Sequence, residues 1–331
     1  MQLGKIKDWH AVLVADRKTS HANASLTDRD LELVEDEYFN ELSNGLRFLC
    51  KEVIHCDSPR ALIESLPLPD PSFVLSVWSG QCSRNRRALV PSICEAYGLR
   101  YIGADTYTNI IAQDKAMSKQ MFKGIGFSTP SWALIDRPED LPGIDTLELP
   151  LVVKPNLEGG SIGISTRNLV DSYEAARNLT RQLLASFEQP ILVEEFKPGR
   201  EVCISILGQP KNIMFTEVTE VFFADKPSAL INSLWGYETK KATGLRMAHR
   251  LITNEMPAQA LYIAKRLFTA LDKVDILRID GRLSDSGFHA IELTPDIHLG
   301  SRASFAQAFR AKGISYADML EMIISNSLAR D

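Results

Sequence analysis

Residues 277–295 read LRIDGRLSDSGFHAIELTP. Two runs of alternating apolar and polar residues flank Asp285-Ser286-Gly287, the pattern of an antiparallel hairpin. A three-residue loop with glycine at its left-handed position is a common geometry for such a turn. Centring that loop on Ser286 sets Asp280 opposite Glu292 and Arg278 opposite Thr294. Strand side chains alternate between faces, so these four share one face. Ile279, Leu283, Ile291 and Leu293 are then expected on the other, against a core. Two carboxylates directly opposed repel each other, and a bound cation removes that cost. Hard oxygen ligands favour Mg²⁺, which often takes one or two carboxylates plus substrate phosphates. Arg278 beside them suits a phosphate or an oxyanion. A solvated hairpin held by an Arg–Asp pair fits the same stretch equally well.

Upstream, LVVKP at 151–155 reads as a strand that delivers Lys154 into NLEGGSIGIS at 156–165. Glycines there let backbone N–H groups approach phosphate oxygens. The G-x-x-x-x-G-K-[ST] order of a Walker A loop is absent, and the G-x-G-x-x-G spacing is not met. A plain glycine-rich hairpin turn is the competing reading. A third stretch, ILVEEFKPGRE at 191–201, runs from an apolar strand into a turn and out again. A strand ending at a turn offers backbone groups to an adenine edge, Phe196 a ring wall, and Glu201 an acceptor for ribose hydroxyls. An exposed acidic turn is the plainer alternative.

The rest of the chain reads as α/β. HAVLVA at 10–15 and FVLSV at 73–77 are short buried strands. The stretches 28–50 and 87–97 read as helices, and alternating strands and helices suggest a parallel sheet. A boundary is expected near residue 112, with Asp114 capping a helix from Lys115 to about Lys123. Asp171-x-x-Glu174 is expected to form a capping box, Pro257 to open a helix, and Ser315-x-x-Asp318 to cap the last one.

Composition narrows the function classes. The 331 residues fit roughly two domains. A formal charge of -5 argues against an electrostatic nucleic-acid binder. No apolar run reaches bilayer length, and residues 1–10 lack the apolar region of a secretory signal. Five cysteines form no C-x-x-C pair, so reduced thiols in the cytoplasm are expected. Six histidines show no metal-ligand spacing.

Seven elements, QDK (113–115), VVKP (152–155), EGGSIG (158–163), EEFKPGRE (194–201), YETKK (237–241), RID (278–280) and IEL (291–293), follow one another in an order that resembles the ATP-grasp superfamily, and within it the D-alanine–D-alanine ligase branch. The resemblance implies an N-terminal parallel-sheet α/β lobe over 1–112 and two α+β ATP-grasp lobes, 113–193 and 194–331, enclosing ATP. It implies an ADP-forming carbon–nitrogen ligase. ATP phosphorylates a carboxylate, an amine attacks the acyl phosphate, and ADP and phosphate leave. It assigns Lys115, Lys154 and the loop Glu158, Gly159, Gly160 and Ser161 to ATP phosphates. Glu194 and the Glu195–Phe196 backbone fall to adenine, and Glu201 to ribose. Lys240, with Lys241 beside it, would reach the γ-phosphate. Asp280 and Glu292 would hold Mg²⁺, with Mn²⁺ as the alternative, and Arg278 would stabilise the tetrahedral intermediate. Ser304 and Phe305 would hold a second amino acid's carboxylate. Such chemistry is mostly positioning and charge neutralisation.

The chain departs from that pattern in places. Where the family has a third metal-binding Asn, Thr294 stands, with Asp296 as a substitute ligand nearby. The N-terminal Gly-Gly-x-Ser-x-Glu segment that anchors the first amino acid has no counterpart over residues 15–26. Gly160 and Lys241 replace a linked Ser and Tyr. An acidic stretch is replaced by SRNRR at 83–87. Arg84, Arg86 and Arg87 therefore read either as a solvated helix start or as recognition of a second acidic group. His298 lies near the metal positions and is a further substrate candidate, although a packing role suits it as well. The expectation is a ligase joining an unusual carboxylate to an amino-acid-like amine in natural-product biosynthesis. The alternatives are a D-alanine–D-alanine ligase of cell-wall synthesis, an ATP-binding regulatory protein with little catalysis, and a kinase. Small-molecule substrates are expected, with no nucleic acid or membrane partner, and a homodimer is an option.

Overall fold

The computed structural model describes residues 6–17, 33–80, 84–234 and 246–330. The architecture is three sheets. The first is parallel, in the order β2-β1-β3-β4, from β1 (His10–Val14), β2 (Glu52–Cys56), β3 (Ser72–Ser76) and β4 (Tyr101–Ile102). Every residue of β1 is buried, as a strand covered on both faces must be. Its alternation divides two cores. Ala11 and Leu13 pack with Phe39, Leu42 and Leu46 of α1 (Asp36–Leu49). Val12 and Val14 pack with Leu62 of α2 (Pro59–Glu64) and with Val90 and Cys94 of α3 (Leu89–Tyr97).

The expected helix over 28–50 is shorter at its start. Leu33 to Glu35 are not helical, because Val34 bridges Arg17 and α1 opens at Asp36. Residues 18–32 lie outside the described residues. Two helices, α4 (Thr106–Gln113) and α5 (Lys115–Ile125), follow, each capped by an Asp side chain, Asp105 and Asp114.

The second sheet has the order β5-β8-β6-β7, from β5 (Trp132–Ile135), β6 (Leu151–Pro155), β7 (Leu169–Val170) and β8 (Ile191–Glu195). Helix α6 (Tyr173–Phe187) covers it, placing Ala176 on Leu151, Val153 and Val193. The cap of α6 is Ser172, whose side chain accepts from Ala175 N–H, and not the expected Asp171.

The third sheet is antiparallel, in the order β11-β10-β9-β12-β13, from β9 (Arg200–Gln209), β10 (Asn212–Phe223), β11 (Met247–Leu251), β12 (Ile276–Ser284) and β13 (Gly287–Thr294). Helix α7 (Ala258–Leu271), entered at Pro257, packs Leu267 and Phe268 on Ile204, Leu277 and Ile279. Phe122 of α5 joins the same core. The C-terminal helices α8 (Ser304–Ala311) and α9 (Tyr316–Leu328, capped by Ser315 as expected) return to the first sheet, where Phe309, Leu320 and Ile323 meet Leu42 and Leu46. The chain is thus closed on itself around a space bounded by all three sheets.

The β12–β13 hairpin corrects the expected loop while keeping its consequence. Ser284 pairs with Gly287, so the turn has two residues, not three. That pairing alone would set Ile291 opposite Asp280 and turn Glu292 to the other face. A bulge between Asp280 and Gly281 inserts one extra residue and restores Asp280 opposite Glu292, with Arg278 opposite Thr294. Ile291, expected in the core, becomes the extra residue and lines the cavity described below.

Candidate active site

A cavity of about 690 Å³ lies between the sheets, lined by residues from all three. The glycine loop forms one wall. Gly160 and Ser161 both take left-handed backbone, with φ of 58° and 66°. Ile162 is buried and anchors the loop. Gly163 has φ of 69°, and a Cβ there would stand 2.8 Å from both Phe187 and Pro155. Gly163→Ala should therefore cost roughly 2–4 kcal/mol, from left-handed strain plus overpacking, read as a lower urea midpoint.

Three buried lysines surround this wall. Lys115 donates to the Glu158 carbonyl and lies 3.3 Å from Glu292. Lys154 is paired with Glu194 Oε1, and Lys119 sits 2.7 Å from Glu194 Oε2. Burial alone would raise the Glu194 carboxyl. The two lysines overcome it and hold the group below the ordinary glutamate range. Lys119 was not legible as a site residue in the sequence. Its signal was its i,i+4 spacing from Lys115 on one helix face.

The carboxylate hairpin forms the opposite wall. Arg278 grips Asp280 with two bonds, Nε to Oδ1 at 2.6 Å and Nη2 to Oδ2 at 2.7 Å. The Arg–Asp pairing that the sequence left open is therefore present, in a half-buried cavity and not in open solvent. Burial opposes the charge of Arg278, but Asp280 reverses that and raises its pKa. Burial likewise opposes ionisation of Glu292, and Lys115, Lys154 and Arg278 bring it down to about 2. The Glu292 carboxylate is thus ionised at neutral pH.

Among the described residues, no group of three or more His, Cys, Asp or Glu side chains gathers as a metal site. The protein supplies a pair of opposed carboxylates and, beside them, the Thr294 hydroxyl. That donor set fits Mg²⁺, which usually keeps waters and takes phosphate oxygens for the rest. Asp296, the expected substitute ligand, is engaged by Arg87 instead.

The structure redistributes several expected roles. Arg86 is buried, bonded to Glu158 Oε2 at 2.9 Å and to the Leu157 carbonyl at 3.0 Å. It pins the first lobe to the glycine loop and is not placed to meet substrate. Gln189 takes the other Glu158 oxygen, so that carboxylate is spent within the protein. Arg84 is exposed and does not line the cavity, whereas Arg87 does. Phe305 is fully buried in the core with Phe309, so only Ser304 of that pair reaches the cavity. The N–H groups of Glu195 and Phe196, expected to read adenine, are taken by the carbonyls of Ser131 (3.0 Å) and Pro150 (2.9 Å). Lys197 holds the Glu195 carboxylate at 2.8 Å. Glu201 lies 2.8 Å from Arg282 Nε. Arg282 spans Gly199 O, Leu230 O and Ser233 O, and stands 5.3 Å over the Phe196 ring. Lys240 and Lys241 lie outside the described residues.

His298, which also lines the cavity, stacks on Tyr38 with centroids 3.7 Å apart. Leu33, Trp78 and Glu35 line the same cavity. Glu35 immediately precedes α1. His249, which carried no sequence signal, lies 3.2 Å from Ser304 Oγ, and burial lowers its pKa to about 4, so it is neutral.

Residues 121–325 match the sequence profile of the D-Ala–D-Ala ligase C-terminus. The chain belongs to the D-Ala–D-Ala ligase family. It is an ATP-dependent, ADP-forming carbon–nitrogen ligase of ATP-grasp fold, as the order of its motifs implied. The D-alanine–D-alanine ligase of Caulobacter sp. (strain K31) is 26% identical to it over 293 residues, 86% of each chain. That of Aquifex aeolicus is 26% identical over 286 residues, 86% of this chain and 92% of the other. In three dimensions it is similar to the D-alanine–D-alanine ligase of Bacillus anthracis complexed with ATP, with a TM-score of 0.71 at 21% identity, covering 97% of each chain. Among the described residues, no helix is long and apolar enough to cross a membrane.

Proposed function

We propose that this ligase joins two amino acids, with D-alanine–D-alanine ligation as the first reading. The observation that carries it is the sharing of one cavity by two sets of groups. Lys115, Lys154, Asp280, Glu292 and Arg278 line it, and so does a further carboxylate, Glu35, from the start of α1. The names of the relatives favour the same reading. Arg86, one of the residues that suggested an acidic donor, is spent on Glu158, which weakens the expectation of an unusual donor.

In this reading, Lys115 and Lys154 bind nucleotide phosphates, with backbone N–H groups of Gly159 to Ser161 beside them. Phe196 walls the base and Glu201 meets the ribose. Asp280 and Glu292 would hold Mg²⁺, which would supply charge neutralisation for phosphoryl transfer. Arg278 would face the oxyanion formed as the amine attacks, releasing one guanidinium edge from Asp280. Ser304 would orient the second amino acid's carboxylate. Glu35 would take over the role of the missing N-terminal anchor by accepting from the first amino acid's ammonium. The three lobes are proposed at 1–112, 113–195 and 196–331. The second boundary is moved past β8, which pairs wholly within the second sheet. A cytoplasmic location and a homodimer are part of the same proposal.

A second reading retains a non-alanine donor in small-molecule biosynthesis. Gly160, in place of the family's Ser, and the Tyr38–His298 stack favour it. One assay separates the two. The protein is incubated with ATP, Mg²⁺ and either D-alanine alone or pools of amino acids and carboxylates, and ADP and product mass are recorded. A D-alanyl-D-alanine product supports the first reading. A dehydrated adduct formed only from a pool supports the second. No ADP from any mixture contradicts both. Glu35→Gln should raise the KM for the first amino acid by about 10-fold or more, the worth of a charge-assisted hydrogen bond, while the KM for ATP stays unchanged. An equal rise in both would remove Glu35 from the role.

A further inference from the structure

We propose that Lys119 is a positioning residue of the nucleotide site. By holding the second oxygen of Glu194 it keeps the charge of Lys154 available to the nucleotide. The inference rests on assigning the cavity to nucleotide.

Lys119 is fully buried and does not line the cavity. Its ammonium lies 2.7 Å from Glu194 Oε2, 3.0 Å from Thr129 Oγ1, 3.3 Å from the Pro130 carbonyl, and 5.4 Å over the Trp132 ring. Lys154, which does line the cavity, takes the other Glu194 oxygen. Burying an ammonium is expensive, and a site that needed only packing is served better by an apolar side chain of the same length. The arithmetic of the triad suggests what the cost achieves. Glu194 with Lys154 alone is neutral, so the positive charge of Lys154 is cancelled within the protein. With Lys119 added, the triad carries one net positive charge. Of its two cations, only Lys154 faces the cavity, so that charge is presented where phosphates would lie.

Titration supports the same geometry. The groups facing Lys119 are Glu194 and Glu195 of β8, Lys154 of β6 and His289 of β13. Burial lowers its pKa to about 8 against the pull of Glu194. Raising the pH past about 8 therefore neutralises the triad, as removing the lysine does.

The test measures binding of the non-hydrolysable analogue AMP-PNP with Mg²⁺ by calorimetry, on full-length protein checked by circular dichroism. Lys119→Met keeps the buried stem and removes the charge. It should weaken binding at pH 7 on the order of 10-fold, as expected for loss of one charge-assisted contribution. The weakening that the wild type shows above about pH 8 should be absent from this variant. Lys119→Met combined with Glu194→Gln restores one net positive charge with near-identical shapes. It should bind several-fold more tightly than Lys119→Met alone. A Lys119→Met variant that fails to fold, beside a double variant that folds and binds, supports the same balance. The proposal is overturned if Lys119→Met binds as the wild type does. It is also overturned if the double variant is no better than the single one, whether through weak binding or misfolding. Failure of the wild type itself to bind AMP-PNP would strike the nucleotide assignment instead.

Discussion

Asp280→Asn should lower kcat/KM for ATP-dependent ligation by on the order of 10³-fold, the scale expected when a preorganised charge at a phosphoryl-transfer centre is removed. The hairpin register sets Asp280 opposite Glu292, and among the described residues no third His, Cys, Asp or Glu joins them. With so small a donor set, loss of one carboxylate leaves a single carboxylate, beside the neutral Thr294 hydroxyl, for a divalent cation. The same change leaves the Arg278 guanidinium facing a neutral amide. Side-chain exposure is 20% for Arg278 and 16% for Asp280, so the ion pair is little screened. Stability should fall by about 2 kcal/mol, less than the loss of a fully buried pair. A coupled assay for ADP and a urea titration check the two halves separately. Near-normal turnover with added Mg²⁺ would exclude Asp280 from the reaction.

Lys154→Met should weaken nucleotide binding by about 100-fold, as expected for a buried charge-assisted contact, yet leave the melting temperature nearly unchanged. The difference from Asp280 lies in the partners left behind. Glu194 loses one lysine but keeps Lys119 at 2.7 Å, so no buried charge is stranded. The Met side chain fills the space of the lysine stem. Calorimetry with AMP-PNP and a thermal melt on the same sample decide it. A large fall in melting temperature would mean that Lys119 does not compensate for the lost lysine. Unchanged affinity would place the phosphates elsewhere.

The hairpin shows how a correct reading of a site can rest on an incorrect reading of a turn. Alternation and the Asp-Ser-Gly signal fixed a hairpin, and they set Asp280 against Glu292. The turn is one residue shorter than that signal implies, and a bulge at Ile291 makes up the difference. Local sequence carries little information about a bulge, because it depends on what the extra residue packs against. Gly281 is its trace. A Cβ there would lie 2.4 Å from the His289 carbonyl, so the close approach of the two strands requires glycine. The arginine cluster shows the opposite case. Arg84, Arg86 and Arg87 are indistinguishable in sequence, yet one is exposed, one is buried on Glu158 and one faces the cavity on Asp296. The order of the motifs gave no hint of which partner each would find.

By itself the sequence determined the class of the protein: an ATP-grasp ligase whose lysines, opposed carboxylates and arginine recur at motif positions along the chain. Those features are local, since strand alternation and helix capping act over a few residues. Only the tertiary structure decided which charges are shared. Glu194 was legible as an acidic hinge residue, but its two lysines come from α5 and β6, far apart in the chain. Glu35 was silent until α1 opened at the cavity wall. Partnership between buried charges depends on which elements meet across the core, and the long-range packing of helices and sheets settles that after the local structure is in place.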